Sequence, residues 1–165
     1  MEIARIARHL LAPHWVVRRA FPKRVLGRIE AAIKASENAH YAELRFAVEA
    51  GLDLIPLLRG VTPRQRATEV FSQLCVWDTE HNSGVLIYVE LVDRCIEIVA
   101  DRGISAKVKP EEWSAICRRM GAAFRERRFE EGAMQGIEDV TALLTRHFPH
   151  SGANSNELPD RPVVL

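Results

Sequence analysis

Acidic side chains from separate segments carry the first chemical signal in this chain: Glu43, Asp78, Glu80 and Asp101. Carboxylates gathered at a loop-rich edge offer the all-oxygen coordination that Ca²⁺ or Mg²⁺ prefers. Glu43, Asp78 and Asp101 are the expected ligand set. Arg102 adjoins Asp101. The competing reading is local: Asp101 before Arg102-Gly103 serves a turn, Asp78 caps its own loop, and Glu43 pairs with an arginine. His81 beside Glu80 has no serine or cysteine partner by pattern, and His40 and Tyr41 are expected only to line the edge. The chain holds no G-x-G-x-x-G, no Walker loop and no H-E-x-x-H.

The elements that would bring these carboxylates together follow from periodicity. Leu44, Phe46 and Val48 alternate with Glu43, Arg45 and Ala47, predicting a strand over residues 42–48. GVLIYV (residues 84–89) is almost wholly apolar and predicts a strand buried on both faces. CIEIVA (residues 95–100) predicts a third strand, one short turn later. Helices are expected over residues 25–36, 62–75, 110–128 and 129–148. The clearest start is Thr62, with Pro63 after it and Gln65 three residues on, the pattern of a capping box. Gly51–Gly60 is expected as a connector with an apolar patch at Leu52, Leu54, Ile55, Leu57 and Leu58.

The first two strands flank a helix and should run parallel through a right-handed crossover. The second and third should form a hairpin. That topology sets Glu43, the loop WDTEHNSG (residues 77–84) and Asp101 at one edge of the sheet, with Glu49, Asp93 and Arg94 at the other. The fold class is therefore α/β with a mixed sheet, preceded by a basic amphipathic helix.

The charge is uneven. The chain has 165 residues, 23 Lys plus Arg, 22 Asp plus Glu and a net charge of +1, which disfavours a domain that coats nucleic acid. Yet residues 1–28 hold seven basic residues and one acid. Within them Ile3, Ile6, Ala7, Leu10 and Leu11 fall on one helical face, with Arg5, Arg8 and His9 opposite. Trp15, Arg18 and Arg19 follow. Arg5, Arg8, Trp15, Arg18 and Arg19 are the expected contacts to an anionic membrane surface or a partner protein. Packing of this leader on its own domain is the alternative. Three widely spaced cysteines (Cys75, Cys95 and Cys117) and no C-x-x-C point to reduced thiols. No apolar run approaches 18 residues, so no transmembrane helix is expected. The expected location is the cytoplasm, with the leader permitting a peripheral position at the inner membrane face. Residues 1–24 are expected as the leader, 25–149 as the domain and 150–165 as a disordered tail.

AIKASENAHYAELRFAVE (residues 32–49), RATEVFSQLCVWDTEHNSGVLIYVELVDRCIEIVADRGI (residues 66–104), Trp113 and FRERRFEEGAMQGIEDVTALLTRHFP (residues 124–149) together resemble the TPM domain family, found in thylakoid-lumen, bacterial envelope and animal proteins. The resemblance implies a compact, three-layer α/β sandwich with a mixed central sheet and helices on both faces, divalent-metal binding and, in some plant members, weak acid phosphatase activity. Other members look like assembly or maintenance factors of membrane complexes. Many carry a signal peptide, a membrane anchor and a glycine-rich tail, where this chain has a basic leader. A non-catalytic interaction or maintenance module is the reading to test first, with a metal-dependent acid phosphatase as the alternative, using the Glu43, Asp78 and Asp101 edge with Arg102 supplying positive charge for the phosphate.

Overall fold

The computed structural model describes residues 3–11, 15–150 and 156–165. Residues 1–2, 12–14 and 151–155, which fall in the expected leader and tail, lie outside the described residues. In chain order the elements are α1 (Ile3–Leu10), α2 (Trp15–Ala20), α3 (Lys23–Ser36), β1 (Glu43–Glu49), α4 (Leu54–Leu58), α5 (Pro63–Gln73), β2 (Gly84–Glu90), β3 (Cys95–Ala100), α6 (Arg102–Ser105), α7 (Pro110–Arg125), α8 (Phe129–His147) and β4 (Val163–Val164).

The local signals act as physical chemistry requires. Thr62 Oγ1 accepts the Gln65 N–H, and Gln65 Oε1 accepts the Thr62 N–H, so two donors orphaned at the start of α5 are satisfied together. Pro110 opens α7, and Glu111 and Glu112 sit at its positive end. The sheet is mixed, in the order β3-β2-β1-β4. β1 and β2 run parallel with Glu43 opposite Gly84, and β2 and β3 pair antiparallel with Val85 opposite Ala100.

Side-chain alternation divides the core between two sheet faces. Leu44, Phe46, Val48, Val85, Ile87 and Val89 pack with α3, α7 and α8. Ala47, Leu86, Tyr88 and Val99 pack with α5. Val17, Ala20 and Phe21 are buried in the first cluster, so the second half of the basic leader belongs to the core.

Two differences from the sequence reading have clear causes. The connector at residues 52–58 contains a short helix, α4, and the Asp101–Gly103 turn continues into α6 because Asp101 accepts the Arg102 N–H as its cap. The expectation of disorder is corrected for residues 156–165. β4 adds to the free edge of β1 in parallel, and Leu158 is buried in the α5-side cluster. The segment is polar on average, but Leu158 and Val163 are spaced to cover the Arg45 and Ala47 side of β1, and an uncovered edge strand would expose unpaired backbone groups. That cover explains why β1 is buried along its whole length despite its alternating sequence.

Candidate functional site

The amino end of the sheet holds the residues singled out by type. Glu43 is fully buried, and its Oε2 accepts backbone N–H groups from Glu157 (3.2 Å) and Leu158 (3.0 Å). Burial pushes its carboxyl upward, against those two hydrogen bonds. Asp101 lies across β2 from Glu43; its N–H donates to Gly84 O and its Oδ1 caps α6. Asp78 is exposed in the loop, and Arg102 Nε donates to Asn82 Oδ1 at 2.9 Å. Tyr41 packs edge-on against His81 and Phe148. His40 is buried against Ser36 Oγ, and burial pushes it down to about 4.

This end does not gather Glu43, Asp78 and Asp101 around one ion. Two strand spacings of about 4.8 Å each separate the backbones of Glu43 and Asp101. Among the described residues, the one trio of His, Cys, Asp or Glu whose ligand atoms lie within 4.8 Å of one another is elsewhere. Glu43 serves the 156–165 segment. Glu43 Oε1 and Asp101 Oδ2 are both buried without a hydrogen-bond partner, on opposite sides of β2.

That trio, His9, Glu90 and Asp93, sits at the carboxyl end of the parallel strands, where ligands of open α/β sheets tend to bind. His9 is buried, and its Nδ1 accepts the Leu52 N–H at 2.9 Å. The proton is therefore on Nε2, which lies 3.1 Å from Asp93 Oδ2, off the line of an ideal hydrogen bond. Arg5 reaches the same oxygen through Nε and Nη2, both at 2.7 Å. Burial alone would raise Asp93, but the Arg5 guanidinium bonded to it and the His9 ring beside it hold it below its usual value. Glu90 accepts the N–H groups of Val92 and Asp93, and burial pushes its carboxyl up to about 7. Glu49 accepts a bidentate pair from Arg66 at 3.0 Å and the Tyr88 hydroxyl. Gly51 lets α1 come this close, because a Cβ there would stand 2.9 Å from His9 Nδ1. With Arg5 supplying the positive charge, the trio works as a latch that holds α1 to the sheet.

The latch corrects the expected orientation of the leader. Arg5 and His9, four residues apart on one helical face, turn toward the domain. Arg5 is thus an internal partner of Asp93 and not a surface contact. Leu10 (53% exposed) and Leu11 (79%) turn outward, and α4, which packs against α1, exposes Leu54, Ile55 and Leu58. Arg8, Arg18, Arg19 and Trp15 are exposed, as expected, and Arg59 is exposed beside the α4 leucines. Sequence reasoning missed His9 and Glu90 as site residues. The i, i+4 spacing of Arg5 and His9 was the available signal, outweighed by the more familiar picture of a helix burying its leucines.

The match to known proteins agrees with this architecture. A family model described as the TPM domain matches residues 20–143. The chain is similar to the BA42 protein of the psychrophilic bacterium Bizionia argentinensis, solved by NMR, with a TM-score of 0.75 and 27% identity, covering 86% of this chain and 92% of that one. No curated protein matches the chain.

Proposed function

The chain belongs to the TPM domain family, and we propose that it is an interaction module that docks on an anionic membrane surface through the carboxyl end of its sheet. One observation carries this reading. α1 and α4 pack together yet leave Leu10, Leu11, Leu54, Ile55 and Leu58 exposed, with Arg8 and Arg59 among them. Large apolar side chains grouped on a surface favour a partner that removes them from water. An apolar face beside arginines suits the headgroup boundary of an anionic bilayer. Among the described residues no helix is long and apolar enough to cross a membrane, so docking would be peripheral.

Co-sedimentation with vesicles tests the reading. Binding is expected to phosphatidylcholine vesicles containing phosphatidylglycerol, and not to phosphatidylcholine alone. Leu11→Ser/Ile55→Ser/Leu58→Ser should abolish it while leaving the fold intact, since all three side chains are exposed. Equal pelleting of variant and parent would refute the assignment of this face.

A second reading rests on Asp101 Oδ2, buried without a hydrogen-bond partner. A Ca²⁺ or Mg²⁺ ion held by Asp101 and the Asp78–Ser83 loop would satisfy it. A ligand bound only to the folded state raises the melting point. A rise with one cation, lost in Asp78→Ala/Asp101→Ala, supports the site and justifies a phosphate-ester hydrolysis assay. An unchanged melt removes both the cation and the acid phosphatase reading that depends on it.

A further inference from the structure

A cavity of about 290 Å³ opens beside the docking face, between α2, the β2–β3 turn, the end of α7 and the start of α8. Phe124 and Phe129 supply apolar wall, Trp15 stands at its edge, and Arg19, Arg94 and Arg127 converge on it from three different elements. Among the described residues none of these three arginines is in an ion pair. Their neighbours differ: Arg24 and Arg28 are neutralised by Glu130, and Arg128 by Glu126 and Glu131. Three guanidinium groups without an ion-pair partner among the described residues therefore line this cavity. Glu90 is the one acid on its wall, and it is already held by two backbone N–H groups.

The backbone adds an independent observation. Arg94 and Arg127 both have positive φ, 55° and 61°. Only glycine, and to a lesser degree asparagine, adopts that region at low cost. Arg127 follows the α7 cap, its N–H donating to Phe124 O and the Arg128 N–H to Ala123 O, at the helix-end position where glycine is the usual residue. Two separate turns thus carry an arginine where glycine would be less strained, and both arginines line one cavity. Strain of this kind clusters at ligand-binding positions.

We infer that this cavity binds a phosphate head joined to an apolar stem, the headgroup region of an anionic phospholipid, with Arg19, Arg94 and Arg127 around the phosphate and Trp15, Phe124 and Phe129 along the stem. Guanidinium groups match phosphate oxygens in charge and in fork geometry. The aromatic wall gains nothing from inorganic phosphate and favours an amphiphile. The membrane as the source of that lipid rests on the docking reading above; the chemistry of the cavity does not.

The test uses the full chain and soluble dihexanoyl phosphatidic acid below its micelle concentration, followed by calorimetry. Saturable binding is expected, at least about tenfold tighter than that of inorganic phosphate or dihexanoyl phosphatidylcholine. Arg94→Gly/Arg127→Gly should weaken it by about tenfold or more. Glycine suits both backbone positions, so this variant should melt no lower than the parent, and lost binding cannot be ascribed to misfolding. Unchanged affinity in the variant, or inorganic phosphate binding as tightly as the lipid, would overturn the inference. Vesicle docking that persists without short-chain lipid binding defeats the cavity and spares the docking face. Short-chain binding without vesicle docking defeats the docking face and leaves the cavity as a site for a soluble phosphorylated amphiphile.

Discussion

The two terminal segments meet the sheet at different places and with opposite outcomes. Residues 156–165 close what they touch: β4 completes the β1 edge, backbone N–H groups hold Glu43, and Arg161 O accepts from the buried Arg45. Residues 3–11 close one thing and open another. Arg5 and His9 satisfy Asp93 and the Leu52 N–H, while Leu10 and Leu11 face outward. The difference shows how a segment's polarity can mislead. The polar tail is a structural seal, and the amphipathic leader turns Arg5 and His9 to the domain and leaves Leu10 and Leu11 exposed.

The largest effect should come from breaking the seal. Removing residues 156–165 uncovers the β1 edge and leaves Glu43 and Arg45 without their backbone partners. A loss of at least about 3 kcal/mol is expected, read as a lower urea midpoint. Leu158→Ala alone should cost about 2 kcal/mol. A truncated chain with the parent's midpoint would show that the tail adds nothing.

The latch should matter less to global stability and more to local order. Asp93→Ala removes the partner of both Arg5 and His9. A global cost near 1 kcal/mol is expected, since the Arg5–Asp93 pair is partly solvated. Amide exchange over residues 5–11 should accelerate well beyond that of β1 and β2. Uniform acceleration across the sheet would mean that α1 is not an independently released element.

A third test is a pH dependence at the seal. Burial first, then the nearby charges of Glu43 and Asp160, push Glu37 up to about 8. The folded state then binds this proton more tightly than the unfolded chain, so stability falls as pH rises from about 4.5 to about 8 and is flat for this group above that. Glu37→Gln keeps an oxygen for the Leu44 N–H. The variant should match the parent near pH 4.5 and melt higher at pH 8. A gap that does not widen with pH would remove Glu37 from the seal's electrostatics.

Most of the sheet was legible in the sequence because its signals are local. GVLIYV, the short turn after it and the Thr62–Gln65 capping box each act within a few residues, and they suffice for a parallel pair and a hairpin. The joined amino edge was legible too, since topology alone places Glu43, Gly84 and Asp101 in a row. That Glu43 and Asp101 stand on opposite sides of β2 depends on strand spacing and pairing, which no local pattern encodes. The tail and the latch were hidden for a related reason. Leu158 gains its burial from α5 and β2, and His9 from Leu52 and Asp93, all far away in the chain. Composition averages over those few decisive contacts.

On the proposed docking mode the carboxyl end of the sheet, and not the amino end, meets the membrane. Two exposed tryptophans report on the two ends: Trp15 at the carboxyl end (57% exposed) and Trp77 in the loop before β2 (52%). Fluorescence quenching by brominated phosphatidylglycerol vesicles, in Trp77→Phe and Trp15→Phe variants, separates them, with the buried Trp113 common to both. Strong quenching of Trp15 and none of Trp77 is the expected result. Quenching of Trp77 alone, or of neither, would contradict the docking of this end on an anionic bilayer.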